Sequence, residues 1–383
     1  MWRSLASNAI SFLIIAFLAL GVAGIWGKSQ YTAQGPLDEA ICVRVAPGSK
    51  FRQIADDLAA RNAITSAPLM RIGADYQGRS SQLKAGSFLV PEGASMADIT
   101  DILTRGGANT CGTEVVYRIG IASTSVELRE MDPVSQKSEE KLRFNIADAA
   151  PDGFDAMAKR NDTRHRIAMA EGVTSWQVVE ALRAIPTLSG EITDIPPEGL
   201  LAPFSYELTQ GETRNGVLDR MIAKQAGYLD EAWENRAADL PIKTKQEALI
   251  LASIIEKETS IAKERGLVSS VFINRLNQGM PLQTDPTVIY GITKGQGILG
   301  RGLRQSELKK DTPWNTYTNR GLPPTPIANP GRDAINAAVN PETSDYIFFV
   351  ADGTGGHAFA KTLAEHNANV AKWRKIEAEK KDN

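Results

Sequence analysis

Metal-binding motifs and a strong net charge are both absent from this sequence. The two cysteines, Cys42 and Cys111, form no C-x-x-C pair, and no H-E-x-x-H motif occurs. The three histidines, His165, His357 and His366, are too scattered along the chain to suggest a metal cluster. The formal net charge is -2, so the sequence gives no electrostatic reason to expect a nucleic-acid partner.

Charge is missing altogether from one long stretch near the N-terminus, from Ser4 to Gly27. This stretch is longer than the roughly 20 residues that a helix needs to cross the hydrocarbon core of a bilayer. Trp2 and Trp26 bracket it, as interfacial aromatic residues often do. A cleaved signal peptide is the alternative, but no A-x-A site follows and the stretch exceeds a usual h-region. We therefore expect an uncleaved single-pass anchor, and the slight charge bias favours a cytoplasmic N-terminus with the rest exported.

The two cysteines are the only other sign of compartment. If the body of the chain is exported, Cys42 and Cys111 could form a disulfide in the oxidising environment there. Two small buried thiols are the alternative, and the sequence does not decide between them.

A weak repeat of strand, glycine turn and amphipathic helix follows the apolar stretch. Each copy has a glycine followed by apolar residues six and ten positions later, and the copies contain Gly48, Ile54 and Leu58, then Gly93, Ile99 and Leu103, then Gly172, Val178 and Leu182. Ser49, Ser95 and Ser175 stand where a helix cap belongs. Such units resemble LysM-type modules, which bind glycans rich in N-acetylglucosamine, although generic α+β packing would give the same pattern.

The fold class predicted from these patterns is α+β. We expect an N-terminal transmembrane helix, small LysM-like α+β modules, and then a mainly helical catalytic domain with short strands. The stretch 106–164 interrupts the repeats and reads as an insertion, with a strand-like TEVVYRIGIAS and a polar loop or hairpin after it. The predicted parts are an anchor at 1–28, a LysM-like module at 29–105, the insertion at 106–164, a second α+β module with a connecting helix at 165–243, and a catalytic domain at 244–383.

Two glutamates end a predicted apolar helix at Lys245–Thr259. Ile250, Ile254 and Glu258 are four residues apart, so Glu258 lies on the apolar stripe that faces the core. Glu256 lies two residues earlier, about 200° round the helix. The two carboxyl groups therefore cannot point at one spot.

A carboxyl group on an apolar helix face suits acid catalysis. Desolvation raises its pKa, so it keeps a proton near neutral pH and can donate it to a glycosidic oxygen. The alternative for Glu258 is a structural ion pair, for which Arg265 and Arg275 are candidate partners.

Two later segments concentrate the polar and aromatic groups that line sugar-binding clefts. Amides and hydroxyls hydrogen-bond to sugar hydroxyls, and aromatic rings stack on sugar faces. Some of these residues could instead be turn formers, and Asp285-Pro286 reads as a turn. The two segments supply Gln283, Thr284, Asp285 and Tyr290 from LQTDPTVIYG, and Trp314, Asn315, Thr316 and Tyr317 from DTPWNTYTNRGLPP.

Four long motifs resemble the endolytic murein transglycosylase family, which is the YceG-like family. They lie between about Gln246 and Lys372 and read ASIIEKET, SVFINRLNQGMPLQTDPTVIYG, NTYTNRGLPPTPIANPG and FVADGTGGHAFAKTLAEHN. The chain departs from the family pattern at Pro203-Phe204-Ser205, where Pro-Asp-Thr is usual, and at Thr325, where glycine is usual. The insertion is also longer than the family pattern.

The resemblance implies non-hydrolytic cleavage of peptidoglycan between N-acetylmuramic acid and N-acetylglucosamine. Glu258 would be the catalytic acid, would then take the proton of the muramyl C6 hydroxyl, and would leave a 1,6-anhydro end. No metal or nucleotide cofactor is implied. The expected location is the bacterial inner membrane with the catalytic domain outside the cytoplasm. The expected partners are glycan strands and the synthesis machinery.

The candidate substrate-binding residues are Glu256, Gln283, Thr284, Asp285, Tyr290, Asn315, Thr316 and Tyr317. Glu256 would be an accessory or structural acid. Two alternatives stay open from the sequence: a muramidase-type hydrolase that uses water as the nucleophile, and a non-catalytic anchor that binds peptidoglycan.

Overall fold

The computed structural model describes residues 2–105, 110–209 and 211–381. The chain divides into two compact units, and the finer five-part organisation expected from the sequence stays a prediction. The first unit comprises Met1–Val115, Glu127–Arg143 and Ala150–Arg164, and the second comprises Val116–Val126, Phe144–Ala149 and His165–Asn383.

The first 105 residues give a long helix followed by an antiparallel strand pair with three shorter helices. In chain order the elements are α1 (Trp2–Thr32), β1 (Ile41–Val45), α2 (Phe51–Ala60), α3 (Ala67–Tyr76), β2 (Gly86–Val90) and α4 (Met96–Arg105). β1 pairs with β2 in antiparallel register, with Val43 opposite Phe88. Buried Leu58, Met70 and Ile99 from the three helices pack into the same core. These elements confirm a mixed α+β chain that begins with an apolar helix.

Helix α1 is long and apolar enough to cross a membrane. Its stretch Ile10–Thr32 contains an 18-residue window with a mean hydropathy of 2.3 and no buried side chain, which marks the stretch as a candidate span by length and composition. The C-terminal end of α1 joins the first unit directly, because Tyr31 is 4% exposed and belongs to the core. A Cβ at Gly73 would lie 2.4 Å from the Tyr31 ring, so this contact requires glycine.

A disulfide cross-links two segments of the first unit. It joins Cys42 on β1 to Cys111, whose Cα atoms are 5.8 Å apart, and it spans 69 residues of sequence. The alternative of two unpaired buried thiols therefore does not apply.

The middle of the chain contributes a five-stranded sheet. Its elements are β3 (Thr113–Ile119), β4 (Thr124–Met131), β5 (Ser138–Asn145), α5 (Phe154–Ala158), β6 (Arg164–Met169), α6 (Ser175–Ala184) and β7 (Ser205–Leu208). The strand order is β5-β4-β3-β6-β7. The polar part of the predicted insertion is therefore the strand pair β4 and β5, whereas its first residues, 106–109, lie outside the described residues.

The three repeat glycines all adopt the left-handed conformation that a turn of this kind needs. Gly48, Gly93 and Gly172 have φ angles of +79°, +65° and +75°. At such angles a side chain would be strained, so glycine is the residue that lets each strand turn into its helix.

The predicted helix caps are right at one of three positions. Ser95 caps α4, because its Oγ accepts a hydrogen bond from the backbone N–H of Asp98 at 3.1 Å. The residue that precedes α2 is Lys50 rather than Ser49. Thr174, not Ser175, caps α6 and accepts from the N–H of Gln177 at 3.3 Å.

The last third of the chain is built mainly of helices with one strand pair. Its elements are α7 (Arg214–Glu234), α8 (Lys245–Glu258), α9 (Arg265–Asn277), α10 (Asp285–Thr293), α11 (Gln305–Lys309), α12 (Arg332–Val339), β8 (Phe348–Ala351), β9 (His357–Ala360) and α13 (Leu363–Lys381). Helix α8 is central, since residues 248–255 are all buried and it contacts α7, α9, α10 and α12. The predicted helix is thus confirmed to within one residue at its end.

The interpretation of Asp285-Pro286 as a turn is wrong. These two residues form the first turn of α10, with the proline in the first two helical positions. The backbone N–H groups of a first turn have no partner within the helix, so a residue that lacks this group costs nothing there.

Candidate active site

The last three residues of α8 point into three different surroundings. Glu256 accepts a hydrogen bond from the backbone N–H of Gly331 at 2.9 Å. Lys257 donates to the backbone carbonyl of Gly172 at 3.3 Å. Glu258 accepts from the hydroxyl group of Thr284. Since successive residues are 100° apart on a helix, one turn distributes these groups to separate partners.

Glu258 lines an open cleft of about 290 Å³. The carboxyl group is partly buried, and its Oε1 atom accepts the hydrogen bond from Thr284 Oγ1. The rest of the cleft is formed by Thr259, Ser260, Ala351, Gly353, Gly355, Gly356, His357 and Trp373. The carboxyl group therefore reaches a space that a ligand can enter.

Burial raises the pKa of Glu258 above its ordinary value. The hydrogen bond from Thr284 lowers the pKa, the negative charge of Asp285 raises it, and electrostatic interactions with His357 and Arg275 lower it. Desolvation is the largest of these effects, so the group favours its protonated form more than an exposed glutamate does. A protonated carboxyl group in an open cleft is a proton donor.

Hydrogen bonds among threonines fix the position of Thr284, the hydrogen-bond partner of Glu258. The backbone N–H of Thr284 donates to Thr316 Oγ1 at 3.1 Å, and the hydroxyls of Thr287 and Thr316 lie 2.9 Å apart. The backbone N–H of Gln283 donates to the carbonyl of Thr316 at 3.1 Å. Of the predicted site residues, Thr284 therefore contacts Glu258 and Thr316 holds Thr284, whereas the side chain of Gln283 is exposed.

Asp285 and Tyr317 form a second pair near the same helix end. The hydroxyl of Tyr317 donates to Asp285 Oδ1 at 2.7 Å. Burial raises the pKa of Tyr317, and the hydrogen bond to Asp285 raises it further. Tyr317 thus stays protonated and holds the carboxylate whose charge acts on Glu258.

The remaining two predicted residues lie elsewhere. Asn315 is fully buried and donates from Nδ2 to the carbonyls of Lys310 and Leu308 at 2.7 and 3.0 Å, so its amide shapes its own loop. Tyr290 lies in a different cleft, of about 310 Å³, which Lys257 also lines. The Tyr290 and Trp314 rings have centroids 5.7 Å apart, and burial raises the pKa of Tyr290 to about 12.

The structural ion pair considered for Glu258 belongs to Glu256. Arg265 Nη2 lies 3.8 Å from Glu256 Oε1, with side-chain exposures of 10% and 5%. Arg275 donates instead to the carbonyls of Ile347 and Leu282, at 2.7 and 2.6 Å. Within the described part of the chain, neither arginine forms an ion pair with Glu258.

Sequence reasoning missed a partly buried pair, Glu264 and His357, of which His357 lines the cleft. Glu264 Oε2 lies 2.8 Å from His357 Nδ1, and Glu264 Oε1 accepts from the backbone N–H of His357 at 2.9 Å. The residues are 93 positions apart, and no local pattern connects them. The position of His357 directly after the glycine-rich turn was the available signal.

The part of the chain that the structure describes contains no group of three or more His, Cys, Asp or Glu side chains that could hold a metal ion.

The fold and the site define an α+β chain with an N-terminal apolar helix and a partly buried glutamate, Glu258, that lines an open cleft. The chain belongs to the YceG-like family, whose sequence model matches residues 43–372. The resemblance found in the sequence motifs is therefore confirmed.

Two relatives match over nearly the whole chain. A Bacillus subtilis protein named endolytic murein transglycosylase is 27% identical over 364 residues, which are 95% of this chain and 93% of that protein. A Streptococcus pneumoniae protein of the same name is 29% identical over 376 residues, and the match covers 94% of this chain and 64% of that protein. This chain thus spans slightly less than two thirds of the pneumococcal relative.

A solved structure is also similar. The crystal structure of a putative yceG-like protein from Listeria monocytogenes matches with a TM-score of 0.47 and 24% identity. The match covers 86% of this chain and 98% of the Listeria chain.

Proposed function

We propose that this chain is a membrane-anchored endolytic lytic transglycosylase that cuts peptidoglycan glycan strands. The observation that carries the proposal is the carboxyl group of Glu258, which stands at the edge of an open cleft and whose pKa is raised by burial. The relatives named endolytic murein transglycosylases support the same activity. The bond cut is the β-1,4 link from N-acetylmuramic acid to N-acetylglucosamine, and the cut would limit the length of new strands.

Glu258 acts as the general acid. Its proton passes to the glycosidic oxygen as the bond to the muramyl C1 breaks. The muramyl C6 oxygen closes on C1 to give a 1,6-anhydro ring, and the proton that the C6 hydroxyl loses is returned to the Glu258 carboxylate. Because the nucleophile belongs to the substrate, no second carboxyl group is needed, unlike in glycosidases that use paired acids. Glu256 supports this view, since its carboxyl group is occupied by Gly331 and Arg265.

The neighbouring residues position the acid and the strand. Thr284 holds the Glu258 carboxyl group, and Thr316 holds Thr284. Asp285, which directly follows Thr284 at the start of α10, forms a hydrogen-bonded pair with Tyr317, and their carboxylate and hydroxyl groups would bind sugar hydroxyls. Gln283 would bind sugar from its exposed position, and Tyr290 would stack on sugar in the second cleft. Asn315 would shape its own loop, and Glu256 would be a structural acid.

The anchor and the disulfide support a location outside the cytoplasm. Helix α1 would span the inner membrane once, with both compact units on the periplasmic or extracytoplasmic side. The Cys42–Cys111 disulfide favours this orientation, because disulfides persist in oxidising compartments and are rare in the cytosol.

The arrangement of β1, α2, α3 and β2 supports a LysM-like module within residues 29–105. Two helices connect the antiparallel strands, as in a small glycan-binding unit. Residues 244–383 would be a mainly helical catalytic domain, and peptidoglycan synthases would be further partners. A pull-down of solubilised membranes on the full chain checks the last point, and recovery of no synthase contradicts it.

Product analysis of digested sacculi tests the activity. Wild-type protein is expected to release fragments with 1,6-anhydro ends, and Glu258→Gln is expected to release none. Glu247→Gln, which changes a glutamate in the first turn of the same helix, is the matched control and should cleave normally. Reducing ends in place of anhydro ends would support the muramidase-type hydrolase. Wild-type protein that binds sacculi without cutting them would support the non-catalytic anchor.

A further inference from the structure

The cleft that contains Glu258 also contains a histidine held by a carboxylate. His357 follows the glycine-rich turn between β8 and β9, and Glu264 follows α8. Glu264 binds both the backbone N–H and the Nδ1 atom of His357, and the two side chains are only 15% and 16% exposed. These two contacts from one carboxylate fix the imidazole at one place in the cleft wall.

The ring orientation is fixed as well. Phe349 packs against His357 edge to face, with ring centroids 5.2 Å apart, and Phe359 lies at 6.4 Å. The Glu264 carboxylate lies at Nδ1, so Nε2 is the ring nitrogen that remains for a partner in the cleft. Nε2 has no hydrogen-bond partner among the residues that the structure describes.

We propose that His357 is the base of the reaction and that Glu264 is its positioning residue. The inference rests on the function proposed above and adds a residue to it. The muramyl C6 hydroxyl gives its proton to His357 Nε2 as its oxygen bonds to C1. The C1 bond to the leaving oxygen breaks, and that oxygen takes the proton of Glu258. Transfer of the proton from His357 back to the Glu258 carboxylate restores both groups.

The stereochemistry of the product requires the acid and the base to be neighbours. A 1,6-anhydro bridge closes on the sugar face from which the β-linked oxygen departs. A proton donor to the leaving oxygen and a proton acceptor for the C6 hydroxyl must therefore stand on the same side of the ring. Glu258 and His357 line one cleft, as this condition requires.

Thr259 connects the segment of Glu258 to Glu264, the residue that holds His357. Thr259 directly follows Glu258, and its hydroxyl lies 3.4 Å from Glu264 Oε2. The acid and the residue that holds the base are therefore linked within one short segment. This arrangement divides the two proton transfers, which the sequence resemblance assigned to Glu258 alone.

Glutamine at position 357 tests the proposal, because it can form a hydrogen bond but cannot take a proton. The formation rate of anhydro ends on isolated glycan strands should fall about 100-fold in kcat for His357→Gln, with little change in KM. His366→Gln is the matched control, since His366 stacks on Phe348 outside this cleft, and it should keep wild-type kcat. A His357→Gln kcat within twofold of wild type overturns the proposal.

Chemical rescue separates a proton acceptor from a structural residue. Added imidazole should restore anhydro-end formation by His357→Ala at least tenfold, and should not affect the control. Glu264→Gln should also lower kcat, and Glu264→Gln/His357→Gln should be no slower than His357→Gln alone, because Glu264 acts through His357. Absence of rescue in a variant whose melting temperature is unchanged rejects the base assignment.

The proposed function and this inference fail in different ways. If wild-type protein forms no anhydro ends, or if Glu258→Gln still forms them, the proposed function fails. If wild type cuts, Glu258→Gln does not, and His357→Gln keeps its rate, then the assignment of His357 alone fails.

Discussion

The hydroxyl of Thr284 donates a hydrogen bond to Oε1 of Glu258, and this contact joins the end of α8 to the start of α10. A hydroxyl donor stabilises the ionised carboxylate, and it is the largest of the effects that oppose burial at Glu258. Thr284 therefore both places the acid and limits how far burial raises its pKa.

Replacement of Thr284 by valine should raise the pKa of Glu258 further, because the group that lowers it is lost. A general acid must be protonated, so activity falls as pH rises through the pKa of Glu258. The alkaline limb of the kcat/KM profile should consequently move to higher pH in Thr284→Val. The kcat should fall about tenfold, since the carboxyl group loses its support. Thr284→Ser keeps the hydroxyl and should resemble wild type, and an unmoved alkaline limb in Thr284→Val would contradict the role given to this contact.

Glu198 should make stability fall with rising pH. Burial raises its pKa to about 7, against the hydrogen bond from the Ser175 N–H at 2.9 Å. The folded pKa lies above the unfolded one, so the contribution is complete below the unfolded pKa and is lost as pH rises through about 7.

The free energy of unfolding of wild type, relative to Glu198→Gln, should therefore drop by about 3 kcal/mol between pH 4 and pH 8. Urea unfolding at both pH values measures the difference. Glu191→Gln, at an exposed position in the same segment, is the control and should give no such drop. Parallel pH profiles of wild type and Glu198→Gln would count against a buried, protonated Glu198.

Glu256 should matter for stability more than for the chemical step. Its carboxyl group accepts from Gly331 and pairs with buried Arg265, so Glu256→Ala leaves a buried arginine without this partner. The free energy of unfolding should fall by about 3 kcal/mol. Glu256→Gln keeps an oxygen for the Gly331 N–H and should lose less. Both variants should retain kcat below their melting temperature, and a large loss of kcat in a stable Glu256→Gln would make Glu256 a participant in the reaction.

The disulfide should stabilise the first unit. Cys42 and Cys111 close a loop over a sequence separation of 69, and loop-closure entropy of the unfolded chain predicts about 4 kcal/mol. Cys42→Ser/Cys111→Ser should therefore unfold at lower denaturant concentration than wild type. Reductant should lower the midpoint for wild type and leave the double variant unchanged. An equal effect of reductant on both proteins would show that the bridge does not contribute.

Helix phase was sufficient to separate the two glutamates. The period of 3.6 residues put Glu258 on the buried stripe, and the structure places its carboxyl group at a buried cleft edge while Glu256 turns to Gly331. This deduction needed no knowledge of distant residues. The resemblance to the family, carried by long motifs, was confirmed for the same reason: the motifs are local in sequence.

What the sequence could not supply was contact between distant segments. Glu264 meets His357 across 93 residues, and no period or motif predicts such a contact. The contact between Thr284 and Glu258 could not be predicted for a similar reason. Asp285-Pro286 looks like a turn in isolation, and only the packing of α10 brings Thr284 to the carboxyl group. The choice between paired and free cysteines likewise depended on their distance in space.

The contact between Tyr31 and Gly73 determines how far the first unit can stand from a bilayer. Helix α1 continues without interruption from the apolar stretch to Tyr31, which is already part of a packed core. Tyr31 lies five positions after Trp26, and at about 1.5 Å per residue the helix rises about 7.5 Å between them. With Trp26 at the membrane interface, the continuous helix would hold the first unit at a short, fixed distance from the membrane, which a flexible linker would not do. If α1 spans a membrane as proposed, the first unit reaches only glycan that lies next to the membrane surface.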